Sequence, residues 1–313
     1  MITRPFSAIL ACAFFLAACS DSPSEPKPNT SYKVDVRFFG APVTSAQRAL
    51  FDNAAARIGS MIVGPLPSVS VTGSQVTQYC VPSMPTPPNE TTTGLIIYAS
   101  IDSIDGRGQV LAEAGACFIR ETNGVKDYRT AVGIMRFDSA DINSLAGSGN
   151  LQDVITHEML HVVGFGAFWG PDEKNLLVNS GTVDAAYSGS RGIAGCQAIG
   201  GTATCASSVP VENCVGRPNC GTGSIEAHWR ESTFSTELMT GFLNSGSNPL
   251  SVMTIRSFED LGYQVNVGAA DMYQIFVGSL RAADDVRPAS MLASEWERPV
   301  RISPRSLPTI ERQ

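Results

Sequence analysis

The chain has 313 residues, of which 43% are hydrophobic and 16% are charged. This composition is typical of a globular protein with a weakly charged surface, and the length is enough for one large domain or two smaller ones. The net charge of −7 argues against a nucleic-acid-binding protein, because such proteins carry basic surfaces that neutralise phosphates.

Residues 1–18 have the pattern of an export signal. Arg4 precedes an apolar run from Phe6 to Ala18, which is too short for a membrane-spanning helix but fits the apolar region of a secretory signal. The run ends in Leu-Ala-Ala-Cys19, which resembles the lipobox of bacterial lipoproteins. The resemblance implies a lipid anchor on Cys19 and export to the bacterial cell envelope, at the outer membrane, in the periplasm or on the cell surface. An ordinary signal peptide with an incidental cysteine is the alternative.

Composition changes along the chain predict its organisation. Residues 19–31 are rich in Ser and Pro and are predicted to form a flexible tether that begins at the lipidated cysteine. The folded domain is predicted over residues 32–266, with an N-terminal subdomain (32–165) and a C-terminal subdomain (166–266). Residues 267–313 contain several prolines and are predicted to be a partly disordered C-terminal extension.

Hydrophobic patterns in the first subdomain predict an α+β fold with a sheet and packed helices. Thr44 and Gln47 have the spacing of a capping box, which predicts a helix from about Ser45 to Val63. Residues 65–94 are predicted to be loops with one short strand. The other strands are predicted at residues 32–39, 95–101, 112–120 and 131–137, ahead of a helix over residues 150–163.

The second subdomain is predicted to be rich in loops. Gly, Ser and Cys are frequent between Gly166 and Gly223, where regular structure should be sparse. Short helices are predicted after this region, at residues 235–242 and 251–262.

The cysteines that follow Cys19 predict a disulfide framework. They are even in number, which favours disulfides in an exported protein, although several pairings are possible. Sequence proximity favours Cys196–Cys205 and Cys214–Cys220, and this leaves Cys80–Cys117 as the third pair. Buried free thiols are the alternative.

The helix predicted from Asn150 contains the sequence His157-Glu158-x-x-His161. Its histidines are four residues apart, so that both imidazoles can reach one metal ion from the same side of the helix. Glu158 is expected to act on water at the metal rather than to bind the metal, and Gly164 is expected to end the helix. A solvated helix without a metal is the alternative, but the segment is otherwise apolar and is expected to be half-buried.

A catalytic zinc site takes three protein ligands and leaves the fourth position to water. The chain has three histidines, and the one outside the helix is His228. We therefore expect His157, His161 and His228 to bind one Zn²⁺ per chain. A long segment of the chain then separates the second ligand from the third, and it must leave the site and return to it. A carboxylate ligand such as Glu173 or Glu237 is the alternative.

Together these motifs resemble the leishmanolysin-like metallopeptidases (peptidase family M8), a branch of the metzincins. The resemblance runs from about residue 33 to residue 265 and implies a zincin fold, with the sheet and active-site helix in the N-terminal part and a loop-rich, disulfide-braced C-terminal part. The insert between Cys214 and Cys220 departs from the family pattern. The segments that carry the resemblance are His157-Glu158-x-x-His161-x-x-Gly164-Phe165, Trp169, Val211-Glu212-Asn213, Ala227-His228-Trp229-Arg230-Glu231 and Glu237-Leu238-Met239-Thr240.

The resemblance also gives Met239 a role, as the methionine of the Met-turn beneath the zinc. Without the resemblance, Met239 would be interpreted as a core residue, and Met253 would be an equal candidate.

The motif and the resemblance predict a zinc-dependent endopeptidase that acts on protein or peptide substrates. In this hypothesis the zinc activates water and Glu158 is the general base. A second hypothesis is a catalytically inactive, surface-anchored binding protein on a peptidase scaffold, and a third is a zinc hydrolase that acts on a non-peptide amide. We expect a monomer that contacts the membrane through its N-terminal lipid anchor.

Overall fold

The computed structural model describes residue 1 and residues 32–108, 110–215, 220, 223–244, 246–275 and 304–310. All but the first residue of the predicted signal peptide (1–18), the tether with Cys19 (19–31) and most of the predicted C-terminal extension (267–313) lie outside the described residues. The predicted domain boundaries therefore stay predictions. Within the described part, no helix is both long enough and apolar enough to cross a membrane.

Strands and helices follow one another irregularly along the described residues. The strands are β1 (Val34–Phe38), β2 (Val69–Val71), β3 (Glu90–Thr92), β4 (Leu95–Asp102), β5 (Ala112–Thr122), β6 (Val125–Asp138), β7 (Leu177–Val178), β8 (Ala186–Tyr187), β9 (Val209–Pro210) and β10 (Arg305–Pro308). The helices are α1 (Ser45–Met61), α2 (Gly73–Tyr79), α3 (Ile142–Ser148), α4 (Leu151–Val163), α5 (Ser190–Ala198), α6 (Glu231–Phe234) and α7 (Val252–Asp260), and a 3₁₀ helix spans Val267–Ala269.

Five strands form one mixed sheet in the order β1-β4-β6-β5-β10. Strands β1, β4 and β6 are parallel, β5 is antiparallel to β6, and β10 is parallel to β5. Strands β2 and β3 form a small antiparallel sheet, and β7, β8 and β9 form another. This arrangement confirms the predicted α+β class, because strands and helices are packed together without a regular β–α alternation.

Helices α1 and α4 pack against each other on one face of the large sheet. Helix α1 begins at the predicted capping box: the Thr44 hydroxyl accepts the N–H of Gln47, and the Gln47 side chain accepts the N–H of Thr44. Phe51 and Ile58 of α1 are fully buried in the core between the helices and the sheet. The local capping signal and the tertiary packing therefore agree on where this helix begins and which side faces inward.

Helix α4 is buried on all sides after its first turn. Every residue from Val154 to Val163 is buried, and the expectation of a half-buried helix is wrong. The reason is that residues from the C-terminal part, including Leu238 and Leu261, belong to the same hydrophobic core as the helix. The helix that carries the histidine motif thus lies in the interior of the protein, between the sheet and the C-terminal part.

The opposite face of the sheet has a hydrophobic core of its own. Val76 of α2 and Val69 of β2 are fully buried there, in the same cluster as Phe118 of β5. The disulfide Cys80–Cys117 joins the end of α2 to β5. The sequence predicted loops with one short strand for residues 65–94, whereas this region forms β2, α2 and β3.

The C-terminal part is organised by the packing of α5 against α7. A Cβ added to Gly195 would lie 2.6 Å from the Cα of Met253, so that glycine permits the close approach of these two helices. The disulfides Cys196–Cys205 and Cys214–Cys220 are formed, as sequence proximity favoured. Helix α7 confirms the helix predicted at residues 251–262.

The helix predicted at residues 235–242 is wrong. Helix α6 ends at Phe234, and Ser235 has a φ of 51°. The Thr240 hydroxyl donates to the carbonyls of Ser235 (3.1 Å) and Glu237 (3.0 Å), and the Glu237 side chain accepts the N–H of Met239 (2.6 Å). These side chains bind the backbone of a non-helical turn, and such bonds compete with helix formation.

Strand β10 lies in the predicted extension and was not predicted. Residues Arg305–Pro308 pair with β5 at Phe118–Glu121 and add an edge strand to the large sheet. The pattern of prolines in this region gave no indication of the pairing, because the partner strand is distant in sequence.

The carboxylate of Asp138 fixes the loop that connects β4 to β5. Its Oδ2 accepts the N–H groups of Ile104 (3.0 Å), Asp105 (2.9 Å) and Gly106 (2.9 Å), and its Oδ1 accepts the N–H of Ala140 (2.7 Å). Burial raises the pKa of Asp138, but these hydrogen bonds outweigh burial, so that the pKa lies below its usual range.

We expect Asp138→Asn to lower the free energy of unfolding by about 1–3 kcal/mol at pH 7, because an amide has one acceptor oxygen where these donors require two. A depressed carboxyl pKa stabilises the folded state above the unfolded-state pKa of about 3.9, and this stabilisation is lost as the pH falls through the folded-state pKa. The difference between wild type and variant in urea unfolding should therefore narrow between pH 7 and pH 3. A difference that does not change with pH would contradict this account.

Candidate metal centre

Helix α4 places His157 and His161 one turn apart. Their ring centroids are 4.7 Å apart, and the two side chains are 0% and 4% exposed. The helix ends at Gly164, whose N–H donates to the carbonyl of Leu160 (3.1 Å). Gly164 has a φ of 135°, which residues with a Cβ rarely adopt, and glycine therefore allows the chain to leave the helix soon after the second histidine.

The third histidine, His228, returns to α4 from a distant part of the chain. The N–H of Glu212 donates to the carbonyl of His228 (2.9 Å), and the N–H of Trp229 donates to the carbonyl of Met239 (2.9 Å). These backbone bonds hold His228 between two neighbouring segments, and its side chain is completely buried. The fold thus brings together histidines that are 67 and 71 residues apart in sequence.

The Nε2 atoms of the three histidines face one another. The Nε2–Nε2 distance is 3.0 Å between His157 and His161, 3.1 Å between His157 and His228, and 3.0 Å between His161 and His228. A tetrahedral zinc ion about 2.0–2.1 Å from each nitrogen separates the nitrogens by about 3.3–3.4 Å. The observed distances are a few tenths of an ångström shorter, so that small ring movements suffice to admit the ion.

The Nδ1 atoms of the same rings face backbone carbonyls. The Nδ1 of His157 is 2.7 Å from the carbonyl oxygen of Leu238, and the Nδ1 of His161 is 2.9 Å from that of Phe165. The Nδ1 of His228 is 3.2 Å from the carbonyl oxygen of Ser224. A carbonyl only accepts hydrogen bonds, so each Nδ1 is a donor, and in the neutral tautomer that fits this contact the lone pair is on Nε2.

This donor set fits a zinc ion. Three neutral imidazoles with their Nε2 lone pairs directed at one point are a common ligand set of catalytic zinc, and hydrogen bonds from the other ring nitrogen orient such ligands. The described residues contain one further group with metal-ligand atoms close together, Glu212 with Cys214 and Cys220. Its cysteines form a disulfide and therefore offer no thiolate to a metal.

The alternative carboxylate ligands are not part of the histidine cluster. The Glu237 carboxyl binds Ser251, Thr254 and the N–H of Met239, and neither Glu237 nor Glu173 belongs to a group of close metal-ligand atoms in the described residues. The ligand set suggested by the structure is therefore the three histidines.

Glu158 is adjacent to one candidate ligand in α4, and Met239 lies in a turn that is hydrogen-bonded to two segments that carry candidate ligands. Glu158 follows His157 in α4 and is 0% exposed. Met239 is also fully buried and follows Leu238, whose carbonyl faces His157, while its own carbonyl accepts the N–H of Trp229. Met239 therefore lies in the turn that contacts two of the ligand segments.

Aromatic side chains surround the segment that leaves α4. The ring of Phe165 lies 4.6 Å from Trp169 and 5.0 Å from Trp229, and Tyr187 lies 4.7 Å from Trp169. Each of these distances is in the range of favourable aromatic contacts. Because Trp229 directly follows His228, this cluster anchors the third ligand to the end of the helix.

Gly166 is a site residue that sequence reasoning missed. Its φ is 70°, and a Cβ added there would lie 2.1 Å from the carbonyl oxygen of Ala227. A Cβ at this distance would overlap severely with the backbone of Ala227, the residue that precedes His228. Glycine at this position therefore allows the third-ligand segment to lie against the end of α4, and the position in the motif, two residues after Gly164, is the available sequence signal.

Comparison with known proteins agrees with this geometry. A family model described as Leishmanolysin, peptidase M8, matches residues 66–278, more than half of the chain. The matched range includes His157, His161 and His228 together with Glu158 and Met239. A search of curated proteins finds no significant match.

We expect Gly166→Ala to weaken zinc binding by about tenfold or more, because the added methyl group must displace Ala227 and with it His228. Zinc affinity can be measured by competition with a chromophoric chelator. Gly147→Ala is the matched control: Gly147 lies in α3, and a Cβ there meets no atom within 4 Å. A folded Gly166→Ala protein with wild-type zinc affinity would show that the close approach does not position the ligand.

Proposed function

We propose that this chain, which belongs to the leishmanolysin (M8) family of metallopeptidases, is a zinc-dependent endopeptidase. The observation that supports the proposal best is the set of three imidazoles whose Nε2 atoms lie 3.0–3.1 Å apart. Two of these histidines lie on helix α4, which also carries Glu158. In this proposal His157, His161 and His228 hold one Zn²⁺ per chain.

A zinc ion with three protein ligands supplies Lewis acidity, which polarises a peptide carbonyl and lowers the pKa of water to about 7. Each histidine donates a hydrogen bond from Nδ1 to a backbone carbonyl, and its Nε2 would therefore be available to hold the metal. Their tautomers and ring orientations are set before any substrate binds.

Glu158 is the general base of the proposed reaction. Its carboxylate takes a proton from the attacking water and then gives this proton to the nitrogen of the leaving amine. Two features support the assignment: Glu158 directly follows the ligand His157, and its side chain is fully buried, where a carboxylate is desolvated and its interaction with a nearby cation is strong. The proposed substrate is a peptide or protein, as expected of the peptidase family.

We also propose that the protein is attached to the bacterial cell envelope through a lipid on Cys19. The support for this proposal is the sequence Leu-Ala-Ala-Cys19 at the end of an apolar run. A tether after the anchor lets the peptidase domain reach substrates away from the membrane surface.

We expect Glu158→Gln to retain about one zinc ion per chain and to lose peptide cleavage by about 10²–10⁴-fold, because the amide cannot take the proton. Metal content is measured by elemental analysis, and cleavage is measured by mass spectrometry of a digested peptide mixture. His228→Ala should lose both zinc and cleavage. Asp52→Asn, an exposed carboxylate-to-amide change in α1, should change neither.

The outcomes of this experiment separate the competing hypotheses. Full cleavage by the zinc-loaded Glu158→Gln protein would rule out the assigned base. Wild-type protein that holds zinc but cleaves no peptide in a broad mixture would instead favour a binding protein on a peptidase scaffold, or a hydrolase of non-peptide amides.

We expect Cys19→Ser to abolish incorporation of a labelled fatty acid and to shift the protein from the membrane fraction to the soluble fraction, because serine has no sulfur to carry the lipid. Labelling and fractionation of a bacterial host that expresses the full chain measure both effects. An unlabelled wild-type protein would show that residues 1–18 are an ordinary signal peptide.

A further inference from the structure

Glu237 follows His228 by nine positions in the sequence, and its carboxyl group lies in the interior of the protein. The residue is 0% exposed, and it contacts backbone N–H groups and hydroxyls rather than the histidines. Burying a carboxyl group is costly unless its oxygens are hydrogen-bonded. The contacts of both oxygens therefore indicate what this residue does.

One oxygen of Glu237 is connected to His157 through a single peptide group. Its Oε2 accepts the N–H of Met239 at 2.6 Å. The carbonyl of the same peptide group belongs to Leu238, and this carbonyl accepts the hydrogen bond of the His157 Nδ1 at 2.7 Å. Glu237 thus holds the N–H end of the peptide group whose C=O end orients a ligand ring.

The other oxygen is connected to the residue that follows His228. The Oε1 of Glu237 accepts the hydroxyl of Thr254 at 2.5 Å, and the Thr254 hydroxyl in turn accepts the indole N–H of Trp229 at 2.8 Å. The N–H of Trp229 also donates to the carbonyl of Met239 at 2.9 Å. The same carboxyl group is therefore linked to two of the three ligand segments.

The network is anchored in helix α7. Ser251 is the N-cap of α7 and donates to the Oε1 of Glu237 from both its N–H (3.1 Å) and its hydroxyl (2.6 Å). Ser251 and Thr254 are both fully buried. A buried network of this kind is rigid when its members are satisfied, and this one connects the start of α7 to the segments that carry His157 and His228.

We propose that Glu237 is a positioning residue for the metal centre: it clamps the Leu238–Met239 peptide group and the Trp229 indole, and it thereby holds His157 and His228 in the metal-binding arrangement. This proposal rests on the proposed zinc site. Hydrogen-bonded groups behind metal ligands set ligand orientation and affinity, and their loss typically weakens metal binding by about 10–100-fold.

The chemistry of the carboxyl group explains why glutamine cannot replace it. Backbone N–H groups point at both oxygens, that of Met239 at Oε2 and that of Ser251 at Oε1. An amide has one oxygen and one NH₂ group, so that one of these backbone N–H groups must face another donor. Aspartate retains two acceptor oxygens but is shorter by one methylene group.

The test compares metal binding in the full chain for wild type, Glu237→Gln, Glu237→Asp and Thr254→Val. Zinc affinity is measured by chelator competition, the Co²⁺ absorption spectrum reports ligand geometry, and thermal unfolding of the metal-free protein reports stability. We expect a 10–100-fold loss of affinity in Glu237→Gln with an altered Co²⁺ spectrum, partial recovery in Glu237→Asp, and a smaller loss in Thr254→Val, which breaks only the link to Trp229.

Val76→Ala is the control for general destabilisation, because Val76 is fully buried in the core on the opposite face of the sheet. It should lower the melting temperature and leave zinc affinity and the Co²⁺ spectrum unchanged. An equal loss of affinity in Val76→Ala and Glu237→Gln would overturn the proposal, as would unchanged zinc affinity in folded Glu237→Gln.

Two further outcomes keep the test decisive. If Glu237→Gln does not fold, Thr254→Val decides: unchanged affinity and spectrum would overturn the link to Trp229, and a weaker site would support it. Wild-type protein that binds neither Zn²⁺ nor Co²⁺ would overturn the proposed function itself. Tight zinc binding by both wild type and Glu237→Gln would instead overturn only the positioning role of Glu237.

Discussion

Three hydrogen bonds to backbone carbonyls determine how the histidines of this protein are presented. Leu238, Phe165 and Ser224 each offer a carbonyl oxygen to one Nδ1, and the three Nε2 lone pairs consequently face one another. Lone pairs directed at one point repel unless a cation lies between them. The rest of the structure therefore has to hold the rings in an arrangement that a bound metal would stabilise.

The fold does this by burying the histidine helix from Val154 to Val163. Helix α4 lies between the large sheet and the C-terminal part, and the aromatic cluster of Phe165, Trp169 and Trp229 fixes the chain where it leaves the helix and where it returns. Gly166 permits the two chain segments to approach closely. Since a dense core resists displacement, the three histidines are held by packing on one side and by polar contacts on the other.

Much of this could be predicted from the sequence. The capping box of α1, the strand patterns and the position of α7 are local signals, and local signals survive in the folded protein when packing agrees with them. The failures occurred where distant contacts decided the structure. The segment around Glu237 has a helical pattern, but its polar side chains bind the backbone of a turn and the start of α7. Strand β10 joins β5 by long-range pairing. Helix α4 is covered by residues that follow it by many positions in the sequence.

The sequence by itself determined the identity of the three candidate ligands, because the chain contains only three histidines and two of them are spaced one helical turn apart. It also indicated the family, through motifs with a fixed order, and it favoured two disulfide pairs by proximity, which left Cys80–Cys117 as the third. Only the tertiary structure decided the tautomer of each ring, the role of Gly166 and the contacts of Glu237. The physical reason is that the partners of these groups are mainly backbone atoms, which every residue possesses, so that no side-chain pattern records where the chain will bring them together.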